Sequence, residues 1–191
     1  MTLLHQIQVA FAVLRTFTPW HGDTETPAER DARLGVIAAA IVIAAPDDRE
    51  MQITLANQAR FETNLAAHVH RGECEQHPDS WVGECDARWE KVDGKRVRVF
   101  AARGLWQAHR PPRPDVAALW DHSLGSGLGE TANAARLAAF FFRGRSCGGN
   151  LAQRYSAQGG VGCHATPSGT KRAAAHRKLR VEWARASKGV E

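Results

Sequence analysis

The chain lacks a hydrophobic run long enough to cross a bilayer. Its most apolar stretch, Leu34 to Pro46, is thirteen residues long. A spanning helix needs about 20, so this stretch reads as a buried helix and no membrane span is expected. A recognisable signal peptide is also missing. Met1 to Thr18 is partly apolar, but it has no basic start and no small-residue cleavage site, and His5, Gln6, Gln8 and Arg15 interrupt it. There is no internal repeat, no low-complexity tract and no composition break that would mark a domain boundary. No compact Cys-x-x-Cys pair is present, and no helix-turn-helix signature or other nucleic-acid motif. Tyrosine is nearly absent, with Tyr155 the sole example.

What remains is an ordinary globular composition. The 191 residues are 43% hydrophobic and 24% charged, enough for one domain with a real core. Lys and Arg number 25 against 20 Asp and Glu, a formal charge of +5. That balance suits a polyanionic partner, and cell wall and nucleic acid both qualify.

The periodicity is mainly helical. Leu3 to Phe17 places Leu4, Ile7, Phe11 and Leu14 on one face. Thr26-Pro27-Ala28-Glu29 starts a second helix, with a capping box and a proline at the first helical position. It runs to about Ala45, and its all-round apolar second half marks it as the central core helix. Asp47 can cap a third helix with Glu50 answering it, and Met51, Leu55, Ala59 and Glu62 then share a face. Residues 71 to 103 look irregular except for a hairpin around Asp93-Gly94-Lys95, where Val97 and Val99 alternate with arginines. Arg110 to Pro114 is an extended connector, followed by a short helix over Pro114 to His122 and a loop from Gly125 to Gly129. Helices are expected over Thr131 to Arg143 and Thr170 to Ala186, the last with a stripe of Ala175, Leu179 and Trp183. Its many basic residues read as a solvated face.

Glu62 sits at the end of the third helix, on its apolar face. Burial there would raise its pKa, as a general acid working near neutral pH requires. Downstream comes Gly104-Leu105-Trp106-Gln107. An acid at a helix end followed by Gly-Leu-aromatic-Gln resembles the core of soluble lytic transglycosylases and goose-type lysozymes. Thr63 stands where those families have serine and keeps the hydroxyl. Tyr155-Ser156-Ala157-Gln158-Gly159 resembles their Ala-Tyr-Asn-Ala-Gly stretch, with serine for asparagine and one extra residue before glycine.

The resemblance covers roughly Asp47 to Gly160. It implies a mainly α, lysozyme-like α+β domain with a small β-hairpin, occupying residues 1–191 with a catalytic core at about 26–186 and an N-terminal helix within 1–25. It also implies cleavage of peptidoglycan at the β-1,4 bond between N-acetylmuramic acid and N-acetylglucosamine, by a lytic transglycosylase or a muramidase. Glu62 is then the general acid, and Thr63, Gly104, Leu105, Trp106, Gln107 and Tyr155 contact the substrate, with Trp106 offering a flat face to a sugar ring. The partner is peptidoglycan rather than nucleic acid, with no cofactor and no metal. The place of action is the bacterial cell wall or periplasm. Without a signal, a bacteriophage lysis or virion protein fits, with virion or tail proteins as further partners. The alternative is a non-catalytic lysozyme-fold protein that is structural or binds the wall.

Two smaller patterns complete the reading. Cys74 with Cys85, and Cys147 with Cys163, each bracket a polar loop and are expected as local disulfides. Each closure is worth roughly 3 kcal/mol by chain entropy. Four free thiols are the alternative for a cytosolic protein. His68, His70, Cys74, His77 and Cys85 are ligand types that zinc prefers, which keeps a zinc-supported nucleic-acid module as a rival class.

Overall fold

A computed structural model describes residues 1–18, 25–76, 87–100, 102–111, 113–143 and 169–189. Within them the protein is mostly helical with a two-stranded antiparallel hairpin, as the periodicity implied. The helices are α1 (Leu3–Phe17), α2 (Pro27–Ala44), α3 (Arg49–Thr63), the single turns α4 (Ala67–His70) and α5 (Glu73–Gln76), α6 (Pro114–Asp121), α7 (Leu128–Arg143) and α8 (Gly169–Gly189). Strands β1 (Ala87–Val92) and β2 (Lys95–Phe100) form the expected hairpin. A second, minimal one joins β3 (Ala102–Arg103) to β4 (Ala108–His109). No helix among the described residues is long and apolar enough to cross a membrane.

Local chemistry sets the element ends. Thr26 and Glu29 form the capping box of α2, with Thr26 N–H donating to Glu29 Oε2 at 2.7 Å. The β1–β2 turn is Asp93-Gly94, both at positive φ (49° and 80°), the type I′ geometry that matches strand twist. The start of α3 differs from expectation by one residue. Asp48 is the cap, its carboxylate accepting from Met51 N–H at 3.0 Å. Asp47 is drawn away by Gln6, whose Nε2 donates to Asp47 Oδ1 at 2.8 Å.

One core unites α1, α2, α3, α7 and α8, with Val9, Val13, Leu34, Ile37, Ile41, Leu55, Ala135, Leu179 and Trp183 among its members. The inward face of α1 is wider than expected and turned away from Leu4. Leu14 is buried and Ile7 and Phe11 pack partly covered against the core as the spacing implied, but Leu4 is 65% exposed and Gln6, Val9, Ala10 and Val13 are buried as well. Two causes act together. Gln6 is held inside by Gln52, whose Nε2 donates to Gln6 Oε1 at 2.8 Å and to Ala45 O at 2.9 Å. Small side chains such as Ala10 then let α1 lie close to alanine-rich α2.

The most enclosed helix is α3 rather than α2. Every residue from Met51 to Ala59 is buried, including Gln52, Thr54, Asn57 and Gln58. A helix so polar looks half-exposed in sequence, because burial of amides and hydroxyls is affordable only when partners wait for them. Gln52 has Gln6 and Ala45. Thr54 Oγ1 meets His176 Nε2 of α8 at 3.3 Å. Outside the core, Arg180 of α8 reaches Glu50 Oε2 through Nε (2.9 Å) and Nη2 (2.5 Å).

Arg33 is a buried cation in α2 that no sequence pattern announced. It forks onto Glu25 through Nε–Oε2 (2.8 Å) and Nη2–Oε1 (2.6 Å), and its Nη1 donates to Leu65 O at 2.6 Å. Both side chains are almost fully enclosed, at 7% and 3% exposure. Removing one member of such a pair leaves the other charge stranded. Arg33→Met is expected to cost about 3–5 kcal/mol in urea unfolding. The double variant Arg33→Met/Glu25→Leu should recover much of that loss. A double variant no more stable than the single one would deny the pair this role.

Candidate functional site

Glu62 lies in the last turn of α3, where the helix leaves the core. Met51 to Ala59 are enclosed, whereas Arg60, Phe61 and Glu62 are only partly covered. This corrects the expected enclosure of Glu62 on an apolar face: the carboxylate sits at the rim. Gln58, one turn earlier and itself buried, donates Nε2 to Glu62 Oε1 at 2.6 Å and holds the carboxylate in place. The helix then ends sharply. Asn64 (φ 51°) and Leu65 (φ 55°) are both left-handed. For residues other than glycine that conformation is costly unless the surroundings enforce it. Enforcement comes from Leu65, whose side chain is fully buried and whose carbonyl receives Arg33.

The Gly104-Leu105-Trp106-Gln107 segment is the four-residue loop between β3 and β4, closed by the Arg103–Ala108 pair. Gly104 (φ 64°) and Gln107 (φ 45°) take the left-handed positions. A Cβ at Gly104 would come no closer than 3.6 Å to Ala134 Cβ, so backbone conformation, not space, calls for glycine here. Gln107 closes the turn twice on Gly104 O, from its backbone N–H (3.1 Å) and from Nε2 (2.8 Å).

This loop is bolted to α3. Thr63 Oγ1 lies 3.0 Å from Ala59 O and 3.1 Å from Leu105 O, its single proton shared between them. Trp106 Nε1 donates to Leu55 O at 2.9 Å. The structure thus brings together Glu62, Thr63, Gly104, Leu105, Trp106 and Gln107. It does so with a division the motif alone did not suggest. Trp106 is 1% exposed, and Leu105, Thr63 and Gln107 are also buried. A ring so enclosed has no face for a sugar, which corrects the expected contact by Trp106. Its indole is packing that seats the loop on the helix. Among the described motif positions, Glu62 and Gly104 keep accessible surface.

Other expected members fall elsewhere. Tyr155, Cys85, Cys147 and Cys163 lie outside the described residues. Cys74 is buried and disulfide-bonded, which removes it as a thiolate ligand. Among the described residues no group of three or more His, Cys, Asp or Glu could hold a metal ion. His68 and His70 do share one short helix and are both buried. The groove between α1 and α8, lined by Ala12, Val13, Thr16, Glu182, Arg185 and Ala186, contains no motif residue.

His70, on α4, is tied to the start of α7. Thr131 Oγ1 donates to Gly127 O at 2.7 Å, so it can only accept from His70 Nε2, 2.9 Å away. The imidazole is therefore the neutral Nε2–H tautomer, fixing α4 to the start of α7. Burial, with Arg33 and then Arg71 nearby, pushes its pKa down to about 3.

No protein-family model matches this chain, and no curated protein and no solved structure matches it either.

The depressed pKa of His70 makes stability depend on pH. The unfolded chain takes up a proton near pH 6.5 that the folded chain refuses until about pH 3. Stability is therefore full above the unfolded pKa and falls as pH drops below it. Between pH 7 and pH 5 this one group should remove about 2 kcal/mol. His70→Gln keeps an amide donor for Thr131 but does not titrate. Its unfolding free energy should fall less over that range by a similar amount, as read by urea titrations at both pH values. Parallel pH profiles for the two proteins would exclude His70 as the source.

Proposed function

We propose that this chain cleaves the glycan strands of peptidoglycan at the β-1,4 bond between N-acetylmuramic acid and N-acetylglucosamine, with Glu62 as general acid. The observation that carries this reading is the Thr63 Oγ1 to Leu105 O hydrogen bond at 3.1 Å. It joins the acid-bearing helix end to the Gly-Leu-Trp-Gln turn, two segments whose order in sequence resembles lytic transglycosylases and goose-type lysozymes. A resemblance spread over distant segments means little unless the fold makes them neighbours. Action on this substrate belongs in the bacterial cell wall or periplasm.

The chemistry needs one proton in the right place. Glu62 donates its proton to the glycosidic oxygen, the bond from the anomeric carbon to that oxygen breaks, and positive charge develops on the sugar ring. Water can then add at the anomeric carbon. Alternatively the sugar's own 6-hydroxyl adds, returning its proton to the Glu62 carboxylate and leaving a 1,6-anhydro product. The second course needs no other carboxylate. Glu25, the other acid tied into this network, is enclosed and committed to Arg33, and Glu73 is ion-paired with Arg71. Asp93 is at the tip of the β1–β2 turn. Glu84 and Asp86 lie outside the described residues, so the one-acid course is proposed on the chemistry of Glu62 itself.

Glu62→Gln keeps the shape and can still meet Gln58, but it has no proton to give. On purified peptidoglycan sacculi, turbidity loss should fall by about 10²–10⁴-fold, with no lowering of the melting temperature. Mass spectra of the parent's products should show 1,6-anhydro ends. Full lysis by a well-folded Glu62→Gln protein rejects the site. A parent protein that releases nothing rejects the enzyme and leaves a wall-binding or virion-structural protein.

A further inference from the structure

The β1–β2 hairpin has a composition that packing does not explain. Within residues 87–100, Arg88, Lys91, Lys95, Arg96 and Arg98 stand against Glu90 and Asp93. The register pairs Trp89 with Arg98 and Lys91 with Arg96. Cross-strand partners share a face, and alternate residues along a strand do too, so these four positions, together with the Ala87–Phe100 pair, form one side of the hairpin. No acid occupies that side. Glu90, opposite Val97, belongs to the other side, and Asp93 is in the turn.

Trp89 is 58% exposed on this basic side, with the Arg96 guanidinium 5.3 Å from its ring centroid. Lys91 and Arg96 are exposed beside it. An indole left in water loses the burial that would reward it. A flat apolar ring among cations fits a polymer carrying both ring faces and negative charge. The strands pair mainly with each other, and the turn is rigidly type I′. The arm is therefore pre-organised.

Its root identifies the occupant. β2 ends at Phe100 and β3 begins at Ala102, two residues before Gly104. The arm continues directly into the loop bolted to the Glu62 helix. The arm and the Glu62 junction are thus neighbours along the chain. We propose that the β1–β2 hairpin docks the peptidoglycan glycan strand, with Trp89 packing on a pyranose ring and Lys91 and Arg96 meeting carboxylates of the peptide stems. This rests on the reading of Glu62 given above and extends it from the scissile bond to the rest of the strand.

The test is co-sedimentation of full-length protein with purified sacculi, in a Glu62→Gln background so that the polymer stays intact. Trp89→Ala should weaken retention by about tenfold. Lys91→Ala/Arg96→Ala should weaken it at low salt and flatten its salt dependence. These side chains are exposed, so melting temperatures should match the parent. If the parent cleaves sacculi but these variants sediment as the Glu62→Gln protein does, the arm is wrong and the Glu62 reading stands. If the parent cleaves nothing yet the variants lose retention, the arm holds as a wall-binding surface and the Glu62 reading falls. If sacculi are not retained while a single-stranded oligothymidylate binds through Trp89, the glycan is the wrong occupant.

Discussion

A single buried guanidinium holds together the end of the fold that carries Glu62. Arg33 spends two donors on Glu25 and a third on the carbonyl of Leu65. The first two bonds fix the chain that enters α2. The third fixes the chain that leaves α3, where two consecutive left-handed residues must be kept from relaxing. In water such contacts would contribute little. Here both charges are out of water, so the pair cannot open without exposing an uncompensated ion. The rim position of Glu62, the reach of Thr63 to Leu105 and the seating of the loop all depend on that α3 terminus staying where it is.

α3 shows why polar residues were used to make the centre of a small domain. A helix packed by leucine and alanine alone could rotate or slide with modest penalty, since apolar contacts are not directional. Gln52 to Gln6 and Ala45, Thr54 to His176, and Trp106 to Leu55 O each demand one orientation. Together they hold the first half of the helix, and Thr63 to Leu105 O holds its far end. In the proposed reading, such directional bonds serve to hold the Glu62 carboxylate in one place, as proton transfer to a bound oxygen requires.

Much of this was legible in sequence, for local reasons. The Thr26 capping box, the Asp93-Gly94 turn and the proline-led α6 rest on interactions within a few residues, and each appears where the pattern placed it. What depended on distant partners was not. The face of α1 was misjudged because Gln6 reads as polar until Gln52 and Asp47 are beside it. Arg33 reads as an ordinary helix cation until Glu25 folds back on it. Trp106 reads as a ligand platform because an aromatic next to a glycine turn serves equally well as core. In each case the missing information was the partner, and one-dimensional periodicity carries no partners.

The burial of Trp106 also changes what a Gly-Leu-Trp-Gln segment means. Its side chains do not present a binding face. They anchor: Leu105 and Trp106 enter the core, Gln107 ties the turn shut, and Thr63 links the turn to α3. The product of this packing is a backbone surface at Gly104 fixed relative to Glu62. Such a surface is more rigid than any set of rotamers, because its position is set by buried groups and its own conformation by a left-handed glycine. In the proposed reading, specificity for a long polymer comes from side chains beyond the junction, where the adjoining strand pair carries an exposed tryptophan beside an arginine. Under that proposal, a rigid junction with its recognition set on a neighbouring arm suits a substrate that repeats, since every bond looks alike at the junction and only the run of rings and charges beyond it differs from other polymers.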